Sequence, residues 1–158
     1  MARETSEGLH QKRNVALLLA AVALVGLNAG IFESIFNNYL SEVHRLGSSE
    51  RGILEFPREL PGFLVAIFAG LLYLLPDARA GAVAMVALAA GLVGLGYFSD
   101  AFWAMVAWMM LWSAGHHLFM PLEQSLGAKM AEPGKTGKRL GQLGAAQTCA
   151  AIVGAAIV

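Results

Sequence analysis

Three groups of polar residues in this chain have types and spacings that could do chemistry. The first is Glu55, Arg58 and Glu59. Their spacing of three and four puts them on one side of a helix. A guanidinium between two carboxylates suits a structural ion pair, or a gate that opens when the pair breaks. The second is His116-His117, followed by Glu123 and Gln124. His116 and Glu123 are seven apart and share a helical face; His117 and Gln124 share the adjacent one. Imidazole titrates near neutral pH, so a histidine reached by water can relay a proton or hold a polar solute. A hydrogen bond between helices is the plainer use of the same ring. The third is Asn28, Glu33 and Asn37, a polar stripe suited to lining an aqueous cavity, unless Glu33 only snorkels to an interface.

Other chemistries find no support. Adjacent histidines point about 100° apart and share one ion poorly. No H-E-x-x-H occurs, and Cys149 is the single cysteine, so no metal site and no internal disulfide are expected. There is no G-x-S-x-G and no P-loop. Gly91-Leu92-Val93-Gly94-Leu95-Gly96 is glycine-rich but lies inside an apolar run. The reading is therefore of no enzyme and no cofactor.

The elements that position these groups follow from composition. Of 158 residues, 57% are hydrophobic and 14% charged. Soluble domains carry about 25% charged residues, and one core of this size could not hide so much apolar surface. The 11 basic and 11 acidic residues cancel, leaving no basic stripe for nucleic acid. Lipid is the solvent this composition suits.

Five stretches without Asp, Glu, Lys or Arg approach the roughly 20 residues that cross a bilayer: Asn14–Phe32, Leu60–Pro76, Ala80–Ser99, Ala101–Leu122 and Leu140–Val158. The expected architecture is an all-α, polytopic transmembrane bundle. A segment over 1–13 precedes a membrane domain over 14–158, with helices near 14–37, 52–76, 79–98, 101–126 and 138–158. Pro57 and Pro61 make the start of the second helix irregular. Pro76 stops it, and Pro133-Gly134 marks a turn. Gly26 with Gly30, Ala66 with Gly70, Ala87 with Gly91, and Ala90 with Gly94 repeat a small-xxx-small spacing that lets helix backbones approach.

With the N-terminus inside, Arg3, Lys12, Arg13, Arg79, Lys129, Lys135, Lys138 and Arg139 fall on the cytoplasmic side, against Arg45 and Arg51 outside. The positive-inside rule thus places the N-terminus in the cytoplasm of a cell's inner or plasma membrane. Glu33 and Arg58 then fall at similar depth, where a pair between the first two helices is possible. The fifth run reaches Val158 with no polar flank, which reads as a chain cut inside a helix.

Gly26-Leu27-Asn28-Ala29-Gly30-Ile31-Phe32-Glu33, a long first external loop, two tight links, and Pro133-Gly134-Lys135 with Gly137-Lys138-Arg139-Leu140-Gly141 together resemble the N-terminal half of a major facilitator superfamily transporter. The resemblance covers about Asn14 to Val158. It departs from the family's G-x-L-A-D-R-x-G-R link at Gly70 to Arg79, and the fourth helix lacks the arginine of the proton-coupled antiporters. It implies alternating-access movement of a small solute, with a proton or sodium as coupling ion. The first and fourth helices would line the pathway with Asn28, Glu33, His116, His117 and Glu123. Glu55, Arg58 and Glu59 would gate or pair. The partners implied are the solute, the bilayer and the missing C-terminal half of the same protein. A small homo-oligomeric exporter and a non-transporting membrane assembly protein are the alternatives.

Overall fold

The computed structural model describes residues 2–72 and 76–158, and these contain five α-helices: α1 (Ala2–Glu42), α2 (Ser48–Leu72), α3 (Asp77–Tyr97), α4 (Phe102–Lys129) and α5 (Thr136–Ile157). The described residues contain no strand. α1 begins at Ala2, so most of the segment expected to precede the membrane domain is helical too.

Local chemistry sets the helix ends. Between α1 and α2, Arg45 takes a left-handed conformation with φ 56. The Glu50 carboxylate then accepts from the Gly47 N–H at 2.7 Å, one half of a capping box at the start of α2. Pro76 leads into α3 with Asp77 in the first turn, where a negative charge suits the helix dipole. Before α5, the Lys135 N–H donates to the Glu132 carbonyl at 2.9 Å. Pro133 and Gly134, with Gly134 at φ 75, make this a type II turn, which needs a positive φ at its third position. α2 runs unbroken through Pro57 and Pro61.

Among the described residues, three helical segments are long and apolar enough to cross a membrane: Leu9–Glu42, Asp77–Tyr97 and Thr136–Ile157. The second expected run, Leu60–Pro76, extends beyond the described residues, and Glu55, Arg58 and Glu59 lie ahead of it on α2. His116, His117 and three tryptophans dilute α4. The three segments expose large apolar side chains: Leu17 and Leu24 on α1, Val83, Val86 and Val93 on α3, Ile152, Val153 and Ile157 on α5. Apolar side chains on the outside of a helix are suited to lipid.

The chain divides into two compact units, Met1–Ile35 with Glu123–Val158, and Phe36–Leu122. In the first, α1 and α5 meet backbone to backbone. A Cβ on Gly26 or Gly30 would overlap the carbonyl oxygen of Gln147 or Ala151, and one on Gly154 would overlap that of Leu27. Val22 and Leu143 are wholly buried beside this crossing. In the second, α3 and α4 do the same. Gly91 receives the Trp112 backbone, Gly94 the Trp108 indole, and Gly115 the backbone of Ala84 and Leu88. Met105 and Met109 fill the centre of this unit at 0% exposure. The surroundings of Gly70 and Ala66 lie outside the described residues.

Candidate functional site

The second unit gathers the charged residues of α2 and the histidines of α4 into one network. Glu55 and Glu59 flank Arg58: Arg58 Nη2 stands 2.8 Å from Glu55 Oε2, and its Nε stands 3.4 Å from Glu59 Oε1. The other Glu59 oxygen, Oε2, lies 3.2 Å from His117 Nε2. A neutral His117 donates this bond from Nε2–H; a protonated one turns it into an ion pair. Arg58 is the most enclosed of the four, at 17% side-chain exposure, and the two carboxylates stay nearly half exposed.

The backbone cooperates. The Arg58 carbonyl accepts the hydroxyl of Ser113 on α4. Ser113 is buried, so the bond satisfies a group that could not stay unpaired there. Gly62, one turn past Arg58, lets the His117 ring lie against α2, since a Cβ at Gly62 would come within 2.9 Å of Nδ1. The missing side chain at position 62 thus holds His117 in reach of Glu59.

His116 points elsewhere, as adjacency on a helix requires. Its ring stacks on Trp112 at 5.5 Å and 10° and stands nearly perpendicular to that of His117. Its Nδ1 is buried without a hydrogen-bond partner. Glu123 belongs to the first unit, is 2% exposed, and has an orphaned Oε2. Asn28, half-buried, and Glu33, exposed, also fall in the first unit. So of the residues singled out in the sequence, Glu55, Arg58, Glu59 and His117 are brought together, with His116 beside them; Asn28, Glu33 and Glu123 belong to the other unit.

Sequence reasoning missed three contributors. Ser113 and Gly62 act across the α2–α4 contact and leave no local signal. Trp112 and His116 stand at the i, i+4 spacing that could have suggested their stacking. A second polar knot also went unread. Tyr39 Oη meets Ser99 Oγ at 2.5 Å and His44 Nε2 at 3.1 Å, and the Ser99 hydroxyl donates to the Leu95 carbonyl. With that proton committed, Tyr39 donates to Ser99 and His44 donates to Tyr39.

The network thus joins two carboxylates, one guanidinium and one imidazole across α2 and α4. Among the described residues no group of three or more His, Cys, Asp or Glu is placed to hold a metal ion. No family model matches the chain, and neither a curated protein nor a solved structure matches it.

Proposed function

We propose that this chain forms transmembrane helices of a secondary active transporter, a permease of the major facilitator kind, moving a small solute by alternating access. In this reading all five helices cross the membrane, the N-terminus is cytoplasmic, and the chain supplies the first five helices of the fold. α4 carries His116 and His117 within its apolar run, and α2 carries Glu55, Arg58 and Glu59 in its first half. Ionisable groups at membrane depth cost about 2.5–3.5 kcal/mol each on insertion scales, and they mark ion and solute pathways.

The observation that carries the reading is the gathering of Glu55, Arg58, Glu59 and His117 into one network between α2 and α4. Carboxylates beside an imidazole on two apolar helices suit a site for a proton, a cation or a polar solute.

Membrane vesicles bearing the intact gene product, given labelled sugars, amino acids, nucleosides and organic anions across an imposed pH gradient, test it. Gradient-dependent accumulation of at least one class is expected. Failure of every class, with the protein inserted and helical, would sink the reading.

A further inference from the structure

The first unit carries a second polar site, where the apolar runs of α1 and α5 begin. A cavity of about 260 Å3 opens between them, lined by Gln11, Lys12, Val15, Glu132 and Arg139. A smaller one, about 110 Å3, adjoins it through Glu132 and Arg139 and adds Lys135, Lys138 and Gln142. Four cations and one carboxylate thus line the pair. That carboxylate is already engaged, since Glu132 Oε2 lies 2.5 Å from Lys135 Nζ. Arg139 spends one Nη on Gln142 at 2.8 Å and keeps a buried Nε with no partner.

The same cations crowd the positive end of a helix. The first turn of α5 has no acidic residue, and no side chain caps it. The first intrahelical N–H bond of α5 is that of Arg139 to the Lys135 carbonyl, leaving the N–H groups of Thr136, Gly137 and Lys138 without helical partners. Gly137 has open space around it. Cations at a helix N-terminus repel its dipole, whereas an anion there is stabilised. A topological role for basic residues asks only that they lie in the loop. It does not ask that Lys12, from a different helix, face the same cavity.

We propose that these cavities bind the phosphate of an anionic phospholipid headgroup. The phosphate sits among Lys12, Lys138 and Arg139, over the first turn of α5. Position favours a lipid over a dissolved phosphate. Lys12 stands where α1 turns apolar, and Lys138 and Arg139 stand where α5 does. The exposed Leu17 and Leu24 of α1 and Ile152 and Val153 of α5 offer apolar surface for the acyl chains. Basic pockets between membrane helices on the cytoplasmic side hold anionic headgroups by this chemistry.

The test is native mass spectrometry of the full chain in neutral detergent, with dioleoyl phosphatidylglycerol, dioleoyl phosphatidylcholine or inorganic phosphate added. One phosphatidylglycerol should be retained in preference to phosphatidylcholine. At about 1 kcal/mol per cation near a membrane surface, each lost charge should weaken retention about fivefold. Lys138→Gln with Arg139→Gln should therefore lose about 25-fold, and Arg139→Lys or Arg79→Gln little. Lys12→Gln, an exposed substitution on the other wall, should lose about fivefold and keeps the test open if the double variant does not fold. Equal retention of both lipids, or retention indifferent to Lys12→Gln and to the double variant, would overturn the site. Displacement of phosphatidylglycerol by equimolar inorganic phosphate would overturn the assignment to lipid.

Discussion

At the scale of single residues, the network on α2 depends on Arg58. Without it, Glu55 and Glu59 repel each other and Glu59 keeps only His117. Breaking a fully buried pair costs about 3–5 kcal/mol. Both carboxylates here retain solvent, so Arg58→Ala is expected to cost less, about 1–2 kcal/mol. Thermal unfolding in detergent measures this, and an unchanged midpoint would count against Arg58 as the hub. Glu132 makes a pH-dependent case outside the membrane segments. The hydrogen bond and charge of Lys135, with Lys138 and Arg139 behind, hold its carboxyl below the ordinary 4.5. A depressed folded-state value stabilises the protein above the unfolded pKa, and that contribution is lost as pH falls below 4.5 through the folded value. Glu132→Gln should therefore unfold more easily than the parent near neutral pH, with the difference vanishing in acid. Melting curves between pH 3 and 7 that run parallel throughout would contradict it.

At the scale of helices, α3 offers an internal comparison. Gly91 and Gly96 are both helical. A Cβ at Gly91 would overlap the Trp112 backbone, whereas one at Gly96 meets nothing within 4 Å. Gly91→Ala should cost about 1–3 kcal/mol by overpacking. Gly96→Ala should be neutral, or stabilising by up to about 1 kcal/mol through helix propensity. Equal effects on denaturation would refute the backbone contact between α3 and α4. The glycines also show what sequence makes legible. Gly26 and Gly30 announce a close crossing by their spacing, but spacing does not name α5 as the partner. Five helices could be read from apolar runs and from the proline and glycine breaks between them. That α1 reaches back to Ala2 could not, because no apolar run marks its polar first turns. Glu55, Arg58 and Glu59 were legible as a set because one helix fixes their spacing. Their link to His117 was not, because it depends on how α2 meets α4 and on the space that Gly62 leaves.

At the scale of the whole molecule, the account rests on membrane placement and on what the α2–α4 network does there. The positive-inside asymmetry predicts Ser49 outside and Lys135 inside. In a Cys149→Ala background, an impermeant maleimide added to intact cells should label Ser49→Cys but reach Lys135→Cys only once the membrane is opened. Labelling of both positions from outside would contradict five crossings with a cytoplasmic N-terminus. The large apolar side chains exposed on α1, α3 and α5 fit this placement, and so does the low charged fraction of the chain.

The central claim is that the Glu59–His117 pair serves a solute pathway and does not merely tie α2 to α4. The direct measurement is uptake, at pH 6 and pH 8, of whichever solute the intact protein accumulates, by vesicles carrying the parent, His117→Ala or Glu59→Gln, normalised to inserted protein. The account predicts that both substitutions reduce uptake at least about tenfold, or flatten its dependence on pH, at unchanged helicity, a tenfold loss corresponding to about 1.4 kcal/mol. Uptake equal to the parent in both variants at both pH values would contradict it.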